Sequence, residues 1–290
     1  MTCRVREKKM ELSITTDYLT DKLSPEPCLK HIADTGFTHI HWGHHWGSDF
    51  IYSKSEIGQI KRWLNGFGLK MVDLHASHGI EKNWVSLHDY ERVAGVKLVK
   101  NRISMAARLG ADVINLHIPK KEPESETGKK LFQVQLRRSL DELEPFAKKH
   151  NVRIALENLV GQKTDIHQKL FSEYEPGFLG LCFDSGHANV DESGFELLNA
   201  NKDRLLSLHL NDNDGVDSLY HDLLFSGTTD WPLVAAAIAE SSYSKCASME
   251  VMMNRKKFKM EEEFLKKVFE TGSIFSEMLS QTRNYISGSA

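Results

Sequence analysis

The chain has 290 residues, a formal charge of −3 and 40% hydrophobic residues, an ordinary length for one α/β barrel with enough apolar material for a sizeable core. That charge gives no bulk attraction to nucleic acid or an anionic membrane. No apolar run reaches membrane-spanning length, the basic N-terminus lacks a signal peptide's hydrophobic stretch, and the four cysteines show no CxxC spacing, so a reduced cytoplasmic protein is expected.

Residues 1–10 read as a loose leader and 11–286 as one barrel domain. Strand readings fall at 11–15, 38–42, 70–75, 112–118, 152–158, 179–184, 205–210 and 247–251, each rich in Ile, Val, Leu or Phe. Helical periodicity occupies 54–65, 93–109 and 131–150, and Pro232 opens a helix through Ala235 and Ile238. Gly36, Gly68, Gly110 and Gly180 stand near strand starts, where glycine ends a preceding helix cheaply. KKEPESETGKK reads as a solvated loop, and NRKKFK as an exposed basic one.

Six strand readings close on ligand-type residues. They are VDLHASH (His75, His78), VINLHIP (His117), IALENL (Glu157), LCFDSGH (Asp184, His187), LSLHLND (His209, Asp212) and SMEVM (Glu250). Eight strands alternating with helices, with polar tips from the third strand to the eighth, favour an α/β (β/α)8 TIM barrel. An open doubly wound sheet would gather its ligands at a switch point. No GxGxxG or P-loop is present. Glu157, Asp184, His209 and Glu250 stand on strands five to eight. Two Glu, one Asp and one His form an oxygen-rich set suited to Mn²⁺, Mg²⁺ or Co²⁺ and able to take Zn²⁺.

LENL, FDSGH, HLNDNDG and the final MEV resemble the xylose-isomerase-like barrels, sugar and sugar-phosphate isomerases and epimerases related to endonuclease IV. The resemblance runs from about residue 12 to residue 251. It implies one divalent metal on Glu157, Asp184, His209 and Glu250, with His187 contacting substrate. His75 and His117 either line the mouth, touching substrate or metal, or merely pair with a neighbouring carbonyl; the resemblance places His221 in the loop after the seventh strand. The implied activity moves a proton beside a carbonyl through an enediolate, with Glu157 and Glu250 as catalytic carboxylates.

In HIHWGHHWGSDF, Trp46 is expected to line the pocket, since an aromatic face stacks on the apolar side of a sugar. The competing reading is a satisfied loop with packed tryptophans. A metal site made only of His41, His44 and His45 is weaker than the carboxylate set. Two positions depart from the family: Leu219 replaces an aspartate of the three-metal members, and Gly215 an arginine of some epimerases.

The alternative activity is an endonuclease IV-type zinc phosphodiesterase acting on abasic DNA. His75, His117, Glu157, Asp184, His187, His209, His221 and Glu250 match most of that enzyme's zinc ligands. A barrel that only binds a polyol is a third reading. The expected partner is a small sugar or polyol, with membrane and nucleic acid disfavoured and a homo-oligomer left open.

Overall fold

The computed structural model describes residues 9–19, 24–77, 79–119, 123–217 and 220–288. Its strands are β1 (Leu12–Thr15), β2 (His39–Trp42), β3 (Lys70–His75), β4 (Val113–Leu116), β5 (Arg153–Glu157), β6 (Leu179–Asp184), β7 (Leu205–His209) and β8 (Ala247–Met249). All pair in parallel in the order β7-β6-β5-β4-β3-β2-β1-β8. Leu210 N donates to Ser248 O at 2.9 Å and Glu250 N donates to Leu210 O at 3.0 Å, which joins β7 to β8. The ring is the (β/α)8 TIM barrel that the strand count predicts.

The helices are α1 (Pro25–Thr35), α2 (Lys54–Phe67), α3 (Asp89–Leu109), α4 (Glu126–His150), α5 (Asp165–Glu173), α6 (Ser185–Val190), α7 (Ser193–Ala200), α8 (Trp231–Ala239) and α9 (Glu261–Gly288). Local chemistry fixes their ends. Ser53 and Glu56 form a reciprocal capping box on α2. Gly36, Gly68 and Gly110 close α1, α2 and α3 in the left-handed region, as the sequence predicts. Two local expectations fail. Gly180 lies inside β6, and the preceding helix, α5, is closed instead by Tyr174 in extended backbone; Asn151, with φ 52°, closes α4. Ser125 caps α4, so Glu126 to Lys130 are helical rather than loop; residues 120–122 lie outside the described residues.

Alternation along the strands sorts the core. Ile14, Ile40, Leu74, Ile114, Leu156, Phe183 and Leu208 are buried in one apolar cluster with helix residues such as Leu29, Ile60, Val99, Leu140, Ile238 and Val268. Burying each such side chain contributes about 1.5–3 kcal/mol. Neighbouring positions are buried and polar: Ser13, His41, Asp73, Asn115, Ser207 and Ser248. Several bond to one another across the barrel. Ser207 donates to Asp73, Asn115 contacts His209 at 2.8 Å, and Ser248 donates to Ser13 at 3.3 Å. Barrels of this type usually fill their interior with branched aliphatic side chains. A polar interior is costly unless its groups are paired, and this one leads to the strand tips.

Candidate metal centre and active site

Glu157 ends β5 with its carboxylate buried among four imidazoles. Its Oε2 lies 3.0 Å from His117 Nε2, 3.1 Å from His209 Nδ1 and 3.7 Å from His75 Nε2, while Oε1 lies 3.2 Å from His187 Nδ1. Glu250, one residue past β8, brings Oε2 to 3.1 Å from the same His209 Nδ1 and 3.7 Å from His221 Nδ1. Bonds of about 2.1 Å to one ion place ligands at right angles roughly 3 Å apart. The contacts of His209 Nδ1 with both glutamates have that spacing.

Asp184 ends β6 and caps α6. Its Oδ1 accepts from His187 N at 2.6 Å and its Oδ2 accepts from Asn211 Nδ2 at 2.9 Å. His187 Nδ1 lies 3.7 Å from Oδ1 and donates to Asn158 O at 2.9 Å. Asn158 in turn ties β5 to β6, with Oδ1 accepting from Asp184 N at 2.7 Å.

The charges are matched but crowded. Burial opposes ionisation of Glu157, yet His117 and His209 outweigh it and hold its pKa well below the usual carboxylate value. Burial opposes the Glu250 charge too, and His209 again wins. Asp184 is pushed up, first by burial and then by Glu157 and Glu250. His187 would be lowered by burial, but Asp184 and Glu157 raise it to about 9. His117 goes down, because burial outweighs its attraction to Glu157. Three carboxylates at one mouth therefore depend on imidazolium charge, a role that a dication can take over.

Two orphaned atoms test the fit to a cation. His209 Nδ1 is fully buried and makes no aligned hydrogen bond. Asn115 Oδ1 is buried without a partner among the described residues, while Asn115 Nδ2 stands 2.8 Å from His209 Nε2. Turning the amide by half a rotation lets Oδ1 accept from Nε2–H, since amide oxygen and nitrogen occupy equivalent positions. The Nδ1 lone pair then points at the space between Glu157 and Glu250. These donors fit a divalent ion.

His75, His117, Glu157, Asp184, His187, His209, His221 and Glu250 therefore meet at one mouth. Ligand atoms of His75, His117 and Glu157 lie within 4.8 Å of one another, as do those of Asp184, His187 and His221. Trp46 covers the histidine side, its ring 4.8 Å from His75 and 5.4 Å from His117. His45 instead stacks on Phe50 and His44 packs against Trp42, away from the carboxylates.

Asp212 is taken up elsewhere, accepting from Asn213 N, Gly227 N, Thr229 N and Trp231 Nε1. His78 and Leu219 lie outside the described residues. Sequence reasoning did not single out Asn115, Asn158, Asn211 or the pair His41–Asp73. A signal was present: Asp73, Asn115, Ser207 and Ser248 each stand two residues before a strand-tip ligand, on the same side of the strand.

The family model described as xylose isomerase-like TIM barrel matches residues 29–268. A relative from Sinorhizobium fredii, the uncharacterized protein y4fM, is 34% identical over 252 residues, covering 78% of this chain and 81% of its own length. A D-tagatose 3-epimerase-like protein superposes with TM-score 0.76 at 19% identity, covering 96% of this chain and 100% of its own. The IolI protein, in a structure with a zinc atom, gives TM-score 0.76 at 16% identity, covering 92% and 98%. At those identities the two structures share the fold. Among the described residues, no helix is long and apolar enough to cross a membrane.

Proposed function

The chain belongs to the xylose isomerase-like TIM barrel family, and from that membership and its strand-tip geometry we propose a divalent-metal-dependent sugar or sugar-phosphate isomerase or epimerase acting in the cytoplasm. One observation carries the reading: His209 Nδ1, buried and without an aligned hydrogen bond, stands 3.1 Å from a carboxylate oxygen of both Glu157 and Glu250. Glu157, Asp184, His209 and Glu250 hold the ion, with Mn²⁺, Mg²⁺ or Co²⁺ suiting the oxygen-rich set and Zn²⁺ accepted by it. A dication held there would supply polarisation of a substrate carbonyl and so acidify the neighbouring carbon.

The side chains do the rest. The Glu250 side chain is 17% exposed against 2% for Glu157, so Glu250 meets the mouth more directly. It takes the proton from the carbon beside the carbonyl. Glu157, turned through Oε1 toward His187, takes up a proton from solvent and passes it to the substrate from the other side, while Glu250 gives its proton up to solvent. Return to the same carbon epimerises it, and return to the adjacent carbon isomerises the sugar. His187, close to the mouth, binds substrate oxygen, with His75, His117, His221 and Trp46 lining the pocket. A ketose incubated in heavy water with protein and Mn²⁺ should gain deuterium beside its carbonyl. Glu250→Gln should slow that exchange by about 10²–10⁴-fold. An unchanged rate, with bound metal measured on the same sample, removes Glu250 as the base.

The clusters His75–His117–Glu157 and Asp184–His187–His221 on either side of His209 favour one second reading. It is a multi-zinc phosphodiesterase of the endonuclease IV type. Zinc-loaded protein that cuts abasic duplex DNA and exchanges no ketose proton would establish it in place of the first.

A further inference from the structure

Below the carboxylates, inside the barrel, His41 on β2 and Asp73 on β3 form a fully buried pair. His41 Nδ1 donates to Asp73 Oδ1 at 2.7 Å, and Ser207 donates to Asp73 Oδ2 from across the barrel. The bond to a carboxylate keeps the His41 proton on Nδ1 and leaves the lone pair on Nε2. That Nε2 is buried and has no hydrogen-bond partner among the described residues. The His41 ring lies 4.7 Å from that of His209 and 6.1 Å from that of His75. Ligand atoms of His41, His209 and Glu250 lie within 4.8 Å of one another. A buried acceptor without a partner is costly.

We propose that His41 binds, from the barrel floor, the same cation that His209, Glu157 and Glu250 reach from the rim, with Asp73 and Ser207 orienting it. The inference rests on the metal-centre reading above and adds a ligand from a strand outside that set. A carboxylate behind a ligating imidazole fixes its tautomer and raises its basicity. The floor position leaves the mouth-facing side of the ion to substrate. A second imidazole also changes selectivity, favouring Co²⁺ and Zn²⁺ over Mg²⁺ relative to an otherwise carboxylate-rich set.

Two measurements test this without turnover. Pulsed electron paramagnetic resonance on the Mn²⁺-loaded full chain should show nitrogen couplings from two imidazoles, and His41→Gln should remove one. The glutamine keeps an N–H for Asp73 and so preserves the polar interior if His41→Ala fails to fold. Calorimetric titration should show Co²⁺ affinity about 10–100-fold weaker in His41→Gln and in Asp73→Asn, with Mg²⁺ affinity changed several-fold less. Coupling to a single imidazole in the unaltered protein, or unchanged Co²⁺ affinity in folded His41→Gln, overturns the proposal while leaving the rim site standing. Failure of the unaltered protein to bind Co²⁺ or Mn²⁺ would remove both.

Discussion

His209 can offer Nδ1 to a cation only when its other nitrogen carries the proton, and Asn115 is the neighbour placed to select that form. The amide lies 2.8 Å from Nε2 and has no other use for its oxygen. Asn115→Ala should therefore weaken metal binding by about 10–100-fold with the rim carboxylates intact. Titration with Co²⁺ reads this directly, and equal affinity in the variant would mean that Asn115 merely fills space. The rim residues were legible in the sequence because each closes a short apolar run, a place where a structural polar group is unusual. Asn115 and Asp73 lie in the middle of such runs and so read as interruptions of a strand, while His41, at the end of the second strand, is weighed only with His44 and His45. Only closure of the barrel, which points every second residue at a common axis, turns them into one network.

At the scale of elements, a motif does not decide the fate of each polar tip; the next loop does. HLND offers both His209 and Asp212 beyond β7. The loop after β7 turns back so that Asp212 N donates to Asp222 O at 3.0 Å and its carboxylate gathers three backbone N–H groups and the Trp231 indole. Asp212 thus fastens this loop, which carries His221, to the start of α8. Asp212→Ala leaves buried donors unmatched, at about 1–3 kcal/mol for each fully desolvated group. A clear fall in melting temperature is expected, with metal stoichiometry in the folded protein unchanged. Loss of the metal at an unchanged melting temperature would instead return Asp212 to the site. The helices differed in legibility for a related reason. Those with long amphipathic periods, α2, α3 and α4, stand out by periodicity. The short α6 has only 6 residues and depends on Asp184 as its cap, so no repeat announces it. In α9, apolar Phe264, Leu265, Val268, Phe275 and Leu279 are interleaved with Thr271, Gly272 and Ser276. Its inward face becomes evident once Gly272 is seen to let Met249 of β8 approach closely.

For the molecule as a whole, two buried histidines give the metal-free protein opposite responses to pH. His167 on α5 donates through Nε2 to Glu157 O at 3.2 Å, and burial lowers its pKa from 6.5 to about 4. Between those values the unfolded chain binds the proton that the folded chain refuses. Its contribution is complete above roughly pH 6.5 and is lost as pH falls toward 4, at most on the order of 3 kcal/mol. His187 has the reverse sign. Burial is outweighed by Asp184 and Glu157, and its pKa rises to about 9. That contribution is complete below about pH 6.5 and is lost as pH rises through 9. With chelator present, the urea midpoint should therefore be highest near neutrality and decline on both sides. His167→Gln should flatten the acid limb selectively, and His187→Gln should lessen the alkaline limb, to which His209, also raised well above its usual value by burial being outweighed by its anionic neighbours, contributes with the same sign. Saturating Mn²⁺ should flatten the alkaline limb as well, because a bound dication replaces the charge that His187 supplies to the carboxylates. An alkaline limb that survives both His187→Gln and metal would show that the proton lost at high pH comes from some other group.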